Sequence, residues 1–251
     1  MLTQQRKQHL LDTLHRDGRL IAKELSQALE VSEDTIRRDL REMAKEGLLL
    51  RVHGGALPAS PAMADFSVRE HLVPEEKIAI GRAAAQLVQP GQVVFIDGGT
   101  TCLQLVHHLP ADLSATVVTH SPSIAMALVD HPQIEVIMLG GRLFRHSLVG
   151  VGAATLEAIG RVNADLYFMG VCSVHPSAGL STGDYEEAVV KRALCHAAAE
   201  TIVLATSEKL NTASPYQVVE LAHVSAIVAL ASTPQALLQP YEAQGLTLYL
   251  A

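Results

Sequence analysis

The sequence has no tryptophan, few other aromatic residues and no long apolar run. Aromatic residues make up only 4% of the 251 residues, whereas 49% are hydrophobic, with abundant alanine, leucine and valine. This composition is typical of an α/β protein. No apolar run approaches the roughly 20 residues that a membrane-spanning helix needs, and the charged N-terminus does not resemble a secretory signal. We therefore expect a cytoplasmic protein.

Cysteine is also scarce. The three cysteines, Cys102, Cys172 and Cys195, show no CxxC spacing and are odd in number. These features argue against a disulfide framework and against a structural zinc site. We interpret the three cysteines as small core residues, and we expect neither a metal nor a cofactor.

The 26 acidic residues outnumber the 19 basic residues, which gives the chain a formal net charge of −7. Such a charge argues against a general nucleic-acid binder. The balance differs between regions, because residues 1–60 contain ten basic and nine acidic residues, whereas the remainder contains nine and seventeen. A basic face that could hold DNA is therefore expected only near the N-terminus.

Three helical patterns fill the first sixty residues, at 5–17, 21–29 and 33–46. Ser32 is a suitable N-cap for the third helix, and Gly47 is a suitable stop. This third helix has an apolar stripe on one side and basic residues on the other. Two short helices, a tight turn and a basic third helix indicate a helix-turn-helix. A small helical bundle with a solvated basic face remains the alternative.

In a helix-turn-helix, the N-terminal part of the third helix enters the major groove of DNA. There, arginine bridges guanine acceptors, and serine or threonine contacts bases or phosphates. Residues 48–55 follow as a short apolar strand with a basic end and a glycine turn, which suits a wing. We therefore predict that DNA is contacted by Ser32, Thr35, Arg37, Arg38, Arg41, Arg51 and His53.

Two segments of this region carry a family resemblance. The run VSEDTIRRDL at 31–40, followed by RVHGGA at 51–56, closely resembles the DNA-binding signature of the DeoR family of bacterial transcriptional regulators. Met43 stands where leucine is usual, a change that conserves side-chain volume. Asp39 lies among three arginines of the third helix, so we interpret it as a partner that positions an arginine.

Residues 56–74 are rich in alanine, proline and serine and have no steady period, which is typical of a linker. We therefore divide the chain into a winged helix-turn-helix DNA-binding domain (1–57), a linker (58–74) and an effector-sensing α/β domain (75–251). The linker is expected to let the orientation of the two domains adjust.

The second domain begins with an amphipathic helix at 75–88, after which strands and helices alternate. We predict strands at 93–96, 116–119, 134–139, 166–171, 202–205, 226–230 and 246–250, and further helices at 100–109, 122–129, 153–159, 185–199 and 234–243. This alternation predicts a largely parallel sheet with helices on both faces. Ligands of such sheets bind at the carboxyl ends of the strands.

The segment VVFIDGGTT at 93–101 reads as a buried strand that ends in a glycine turn and opens a helix. Glycines let the backbone approach a ligand closely, threonines offer hydroxyl groups, and the helix start presents free N–H groups. A phosphate suits this arrangement. The alternative, a tight turn without a ligand, remains open because short glycine motifs are not specific.

Polar residues also follow the other strands. Lys209 and Arg142 suit a phosphate charge, and Asp97 and Glu187 can accept hydrogen bonds from sugar hydroxyls. We predict an effector site at the strand ends that comprises Asp97, Gly98, Gly99, Thr100, Thr101, Thr119, His120, Ser121, Gly141, Arg142, Gly170, Glu187 and Lys209.

The segments IDGGTT, VVTHSPSIA, LGGRL, ADLYFMGV and GLSTGDYEEAVVKRA resemble the sensor domain of the DeoR family. The resemblance implies a fold similar to ribose-5-phosphate isomerase and a phosphorylated sugar or sugar derivative as the effector. Two departures stand out. His120 replaces a frequent asparagine, and residues 206–209 (TSEK) replace an acidic residue followed by Ser-Lys.

The favoured function is a transcriptional regulator, with the resemblance implying a repressor of a carbohydrate-utilisation operon. Its partners would be double-stranded operator DNA and a phosphorylated sugar. Because one module contacts too little DNA for high specificity, we expect a homo-oligomer, a dimer or a tetramer.

The alternative is a sugar-phosphate isomerase with an appended helical domain. Isomerisation needs a carboxylate base and a positioned acid or cation, yet residues 168–175 (FMGVCSVH), after the fourth strand, contain no carboxylate. His175 is the remaining candidate base, and we expect no enzyme. A purely structural or DNA-packaging role is disfavoured because it leaves the polar strand ends unexplained.

Overall fold

Three helices and three short strands form the N-terminal part of the computed structural model, which describes residues 2–60 and 66–251. These elements are α1 (Thr3–Asp17), β1 (Leu20–Ile21), α2 (Ala22–Ala28), α3 (Glu33–Lys45), β2 (Leu49–Val52) and β3 (Gly55–Pro58). Their apolar side chains, among them Leu10, Ile36 and Leu40, pack into one buried cluster. The cluster holds α1 and the wing against α3, as a winged helix-turn-helix requires.

Local signals set the ends of α3 and of the wing. The hydroxyl of Ser32 accepts a hydrogen bond from the backbone N–H of Thr35 at 3.2 Å, so the predicted N-cap is confirmed. The wing is antiparallel, with β3 between β2 and β1. The helix predicted to start at residue 21 starts at Ala22, because Ile21 pairs with Gly55 in the wing.

A short helix, α4 (Phe66–Glu70), lies in the stretch interpreted as a linker, and α5 (Pro74–Ala85) follows it. Five residues are too few to show a helical period, so the sequence pattern did not indicate α4. The side chain of Phe66 is buried. Residues 61–65 of the predicted linker lie outside the described part of the chain.

Strands and helices alternate through the rest of the chain. They are β4 (Val93–Ile96), α6 (Thr100–His107), β5 (Ala115–Thr119), α7 (Pro122–Ala127), β6 (Ile134–Met138), β7 (Arg142–Phe144), β8 (Val149–Val151), α8 (Ala153–Ile159), β9 (Ala164–Gly170), β10 (Ser173–His175), β11 (Gly179–Thr182), α9 (Tyr185–His196), β12 (Ala198–Leu204), β13 (Tyr216–Gln217), β14 (Ala226–Ala229), α10 (Gln235–Glu242) and β15 (Thr247–Leu250). Every predicted strand and helix of this region is present, with boundaries shifted by a few residues.

Seven of these strands form one sheet in the order β15-β14-β12-β9-β4-β5-β6. All neighbouring pairs are parallel, as the alternation predicted. Successive residues of a strand point to opposite faces, so Phe95 joins one buried cluster while Val94 and Ile96 join the other. Helices cover both faces, which explains why these strands read as continuous apolar runs.

Two small antiparallel units follow the carboxyl ends of the sheet strands and were not predicted. Strand β7 pairs with β8 after β6, and β11 pairs with both β10 and β13 after β9. Their strands are only two to four residues long and carry polar residues and glycine. In the described part of the chain, no helix has the length and apolar character needed to cross a bilayer.

Candidate functional site

The order of the strands opens a crevice between β4 and β9. From β4 the chain proceeds outward to β5 and β6, whereas β9, β12, β14 and β15 extend the sheet on the other side. Helix α6, which follows β4, packs on one face through Leu105, and α9, which follows β11, packs on the other through Leu194. Such a switch point leaves a crevice at the carboxyl ends of the strands, where ligands bind in this class of sheet.

A cavity of about 360 Å³, including its open mouth, occupies this crevice. It is lined by Arg69, Gly98, Gly99, Thr100, Thr101, Ser147, Gly170, Val171, Cys172, Glu187, Lys191 and Lys209. Seven of the predicted effector residues are therefore brought together, namely Gly98, Gly99, Thr100, Thr101, Gly170, Glu187 and Lys209.

Asp97 lies beneath the cavity and is fully buried. Its Oδ1 accepts hydrogen bonds from His120 Nε2 at 2.9 Å and from the Gly98 N–H at 2.8 Å. Its Oδ2 accepts from the Gly170 N–H at 3.0 Å and from Lys191 Nζ. The carboxylate thus ties together the ends of β4, β5 and β9 and the middle of α9.

The charges around Asp97 decide its ionisation. Burial disfavours the carboxylate, but the nearby charges and hydrogen bonds of Lys191 and His120 outweigh burial and hold the pKa of Asp97 below its usual value. His120 is itself fixed on its other side, where Nδ1 donates to the carbonyl of Gly150 at 2.8 Å. Asp97 is therefore a structural anion whose oxygens are already bonded by the protein.

Lys191 is the principal cation beneath the cavity and was missed by the sequence reasoning. Its Nζ also donates to the carbonyl of Gly170 at 2.8 Å and lies 3.6 Å from Glu187 Oε1, one helical turn away. Burial opposes its charge, but Asp97 and Glu187 raise the pKa of Lys191 above its usual value. The Glu187–Lys191 spacing in the segment YEEAVVKRA was the signal that could have identified this pair.

The start of α6 lies at the cavity and presents hydrogen-bond donors. Gly99 caps the helix without a side-chain hydrogen bond, at φ +109°, a conformation that favours glycine. The first N–H groups of a helix have no partners within the helix. The hydroxyl oxygen of Thr101 is buried and finds no hydrogen-bond partner among the described residues. These donors converge where an anionic ligand would accept from them.

Lys209 lines the same cavity. It is buried, and no carboxylate of the described residues forms an ion pair with it. Burial lowers the pKa of Lys209. A bound anion would stabilise the charged ammonium.

The backbone around the cavity is packed too tightly for larger residues. A methyl group on Gly170 would lie 2.8 Å from the carbonyl oxygen of Gly98, and one on Gly98 would lie 2.2 Å from Val149 Cγ1. Glycine at 170 therefore allows the end of β9 to approach the loop after β4, and glycine at 98 allows that loop to pack against β8.

The other predicted effector residues lie outside the cavity. The Thr119 hydroxyl donates to the carbonyl of Ile96 at 2.7 Å and accepts from the Ser121 N–H at 3.1 Å, which fastens β5 to β4. Arg142 is exposed and pairs with Glu186. A methyl group on Gly141 would meet Thr155 Oγ1. Asp97, Thr119, His120, Ser121, Gly141 and Arg142 do not line the cavity.

Thr206 and Glu208, which depart from the family pattern, are bonded to each other, and Ser207 between them is bonded to α5. Glu208 Oε1 accepts a hydrogen bond from the Thr206 hydroxyl at 2.7 Å. The hydroxyl and N–H of Ser207 donate to Glu76 of α5. His175, the alternative base, is buried in β10, where its Nδ1 accepts from the Ser177 N–H at 3.2 Å, and it does not line the cavity.

The predicted DNA-contacting side chains lie on α3 and the wing. Arg37, Arg38, Arg41, Arg51 and His53 are exposed. Arg37 pairs with Glu33 at 2.6 Å, and the hydroxyls of Ser32 and Thr35 are 2.9 Å apart.

Asp39 faces the interior of the N-terminal part instead. It pairs with an arginine, but with the buried Arg6 of α1 (Nε–Oδ2 2.5 Å) and not with the arginines of α3. The ion pair holds α1 on α3 and leaves the basic face of α3 exposed.

Several solved structures are similar to this fold at low sequence identity. Ribose 5-phosphate isomerase A from Methanocaldococcus jannaschii aligns with a TM-score of 0.40 and 17% identity, over 54% of each chain. The probable sor operon regulator from Shigella flexneri aligns with a TM-score of 0.45 and 16% identity, over 66% of this chain and 90% of that one.

Two family models together match most of the chain. The DeoR-like helix-turn-helix domain matches residues 6–61, and the DeoR C terminal sensor domain matches residues 73–229. The HTH-type transcriptional repressor GlcR of Bacillus subtilis is 32% identical over 91% of this chain and 88% of its own length. The HTH-type transcriptional regulator GlpR of Haloferax volcanii is 34% identical over 91% of this chain and 90% of its own length. The glycerol-3-phosphate regulon repressor of Escherichia coli is 29% identical over 94% of each chain. The chain therefore belongs to the DeoR family of transcriptional regulators and is not an enzyme.

Proposed function

We propose that this regulator represses a carbohydrate-utilisation operon and that a phosphorylated sugar, or a derivative of one, controls its binding to the operator. The effector would bind in the cavity between the ends of β4 and β9. The observation that carries this proposal is the anion seat, in which the start of α6, the Thr101 hydroxyl and the buried Lys209 face one small space.

The chemistry of the seat supports a phosphate group. Backbone N–H groups at a helix start, a threonine hydroxyl and a lysine are the donors that phosphates commonly receive in proteins. Glu187 lines the same cavity and is oriented by the Thr182 hydroxyl at 2.7 Å. Its carboxylate can accept hydrogen bonds from sugar hydroxyls. The names of the relatives, which include a glycerol-3-phosphate regulon repressor and an aga operon repressor, support the same class of effector.

The exposed basic face of α3 would bind the operator DNA and recognise its sequence. Arg37 and Arg38 lie in the first half of the helix, which suits contacts with base edges, whereas Arg41, Arg51 and His53 suit contacts with phosphates. We propose a dimer or tetramer that binds repeated half-sites, with the effector changing their spacing. A regulator of an operon acts where its DNA is, so we place the chain in the cytoplasm.

A thermal-shift screen of phosphorylated sugars tests the effector site. At a hundred times its dissociation constant, a ligand stabilises the fold by about 2.7 kcal/mol. Replacing Lys209 with Met should weaken binding of the active compound by about tenfold or more, because a charge-assisted hydrogen bond is lost. Arg161, an exposed residue paired with Glu157 on α8, provides the control Arg161→Met, which should bind normally. The absence of any shift with anionic sugars would contradict the proposal.

Operator binding tests the basic face of α3. Arg38→Ala should lower the affinity for an operator duplex by about 1–3 kcal/mol if Arg38 contacts a base edge. If Arg38 contacts a phosphate instead, the slope of log affinity against log salt should fall by about one. If Arg38→Ala has the same operator affinity and salt slope as the wild type and Arg161→Ala, the basic face of α3 does not contact DNA.

A further inference from the structure

One wall of the cavity includes Arg69 of α4, which lies in the segment between the two family domains. Helix α4 begins at Phe66, whose side chain is buried and whose N–H donates to the carbonyl of His146 at 3.1 Å. Arg69, one turn later, donates from Nη2 to the same carbonyl at 3.1 Å, and its guanidinium carbon lies 5.9 Å from the centre of the Phe66 ring. The short helix is thus fixed against the loop between β7 and β8.

Arg69 lines the cavity and has one N–H donor without an acceptor in the described part of the chain. It lines the cavity beside Lys209 and Thr100, and it also lines the adjoining space next to Lys77. Its Nε is buried and finds no hydrogen-bond partner among the described residues. Arginine forms paired hydrogen bonds with phosphate oxygens, so the anion seat would supply the missing acceptor.

Ser60, which precedes this segment in the chain, contacts a residue that lines the cavity. The Ser60 hydroxyl is buried and donates to the carbonyl of Cys172 at 2.7 Å, and Cys172 itself lines the cavity. Two residues earlier, the carbonyl of Pro58 accepts from the Ala213 N–H at 3.0 Å. Pro58 is the last residue of the wing strand β3, so these contacts lead directly to the DNA-binding part of the chain.

We propose that α4 of the interdomain segment is part of the effector site, with Arg69 binding the effector phosphate and the Ser60–Cys172 contact transmitting the occupied state to the wing. This inference rests on the proposed function of the cavity. It gives the segment a second role besides joining two domains, because the ligand would contact it directly. Ser60 lies only two residues after Pro58, the end of the wing, so a change at the cavity that moves Ser60 would also move the wing.

Phosphate binding by the full-length chain tests the role of Arg69. Calorimetric titrations would use inorganic phosphate and glycerol 3-phosphate as probes. Arg69→Met should weaken binding of both by about tenfold or more, since two or more charged hydrogen bonds are lost. Arg69→Lys, which keeps the charge without the planar guanidinium, should bind with intermediate affinity. Arg161→Met should bind like the wild type.

Three outcomes separate this inference from the proposed function. Unchanged binding by Arg69→Met, together with lost binding by Lys209→Met, would overturn the inference and leave the proposed function standing. Failure of the wild-type chain to bind either probe would overturn both. If Arg69→Met does not fold, Arg69→Lys decides, and wild-type affinity in that variant would overturn the inference because a paired guanidinium contact would then be unnecessary.

Operator release tests the role of Ser60. The probe is a duplex that the wild-type chain selects from a random library, and anisotropy is measured with and without glycerol 3-phosphate. Ser60→Ala should bind glycerol 3-phosphate within about twofold of the wild type, because Ser60 is not among the residues that line the cavity. The factor by which glycerol 3-phosphate changes the operator affinity should be about fivefold or more smaller in Ser60→Ala than in the wild type. Fivefold is the lower end of the coupling usually found between two sites. A full effect in Ser60→Ala would overturn the transmission step.

Discussion

At the scale of single residues, the charges beneath the cavity depend on one another. Asp97→Asn keeps the shape of the side chain but removes the anion that faces Lys191, which is itself buried. Breaking a buried ion pair by removing one partner costs about 3–5 kcal/mol, because the remaining charge is left without compensation. We expect the free energy of unfolding to fall by about that amount in urea denaturation followed by circular dichroism.

A double variant provides the control for this prediction. Asp97→Asn combined with Lys191→Met removes both charges, so it should lose less stability than Asp97→Asn alone. A single variant as stable as the wild type would show that the pair does not hold the strand ends together.

The sequence located many of these residues but not their partners. Asp97 and His120 each follow a predicted strand, and Gly170 lies near the end of another. Parallel strands bring their carboxyl ends to one edge, so the proximity of these residues could be anticipated. The direction in which each side chain points could not be anticipated from the sequence. Lys191 lies in the middle of a helix, where only the three-dimensional packing of α9 against the sheet turns it towards Asp97.

At the scale of elements, Lys77 closes the turn between α4 and α5. Its Nζ donates to the carbonyl of Leu72 at 2.5 Å and to the carbonyl of Arg69. Lys77→Met would leave both carbonyls without this donor, and an unsatisfied buried polar group costs about 1–3 kcal/mol. We expect a loss of stability in that range near neutral pH, measured by urea denaturation. A loss within error of zero would show that water replaces the ammonium there.

The same lysine predicts a dependence on pH. Burial lowers the pKa of Lys77 from 10.5 to about 8 in the folded chain. Between these two values the unfolded chain binds more protons, so the free energy of unfolding rises with pH. The stability advantage of the wild type over Lys77→Met should therefore increase between pH 8 and pH 10.5, as the neutral amine continues to donate two hydrogen bonds. An advantage that does not change across this range would contradict the lowered pKa.

The elements that the sequence predicted are those with enough length and burial to show a pattern. The five inner strands of the sheet are apolar because helices cover both faces, and that property is visible in the sequence. Helix α4 and the strands β7, β8, β10, β11 and β13 are too short to show a pattern, and the positions of α4 and β13 also depend on contacts with distant residues. The N–H of Phe66, for example, meets the carbonyl of His146, eighty residues away in the chain.

At the scale of the whole molecule, two motifs identified the family, yet they did not predict how the two parts meet. The contacts between Pro58 and Ala213 and between Ser60 and Cys172 use backbone atoms on at least one side. Such contacts leave no signature in residue type. The expectation that the linker lets the domains adjust therefore needs a test in solution, which the Ser60 variant provides.

Self-association is the prediction that concerns the whole molecule. One helix-turn-helix reads only a few base pairs, so specific binding requires paired modules on repeated half-sites. We expect light scattering to give at least twice the 26.8 kDa mass of one chain. Removing one half-site from the operator should lower affinity by about a hundredfold or more, because the second contact is intramolecular in an oligomer. Arg38→Ala should keep the oligomeric mass while losing operator affinity, since Arg38 lies exposed on α3. A 26.8 kDa monomer that binds one half-site as tightly as two would contradict the proposed mode of repression, because the effector would then have no spacing to change.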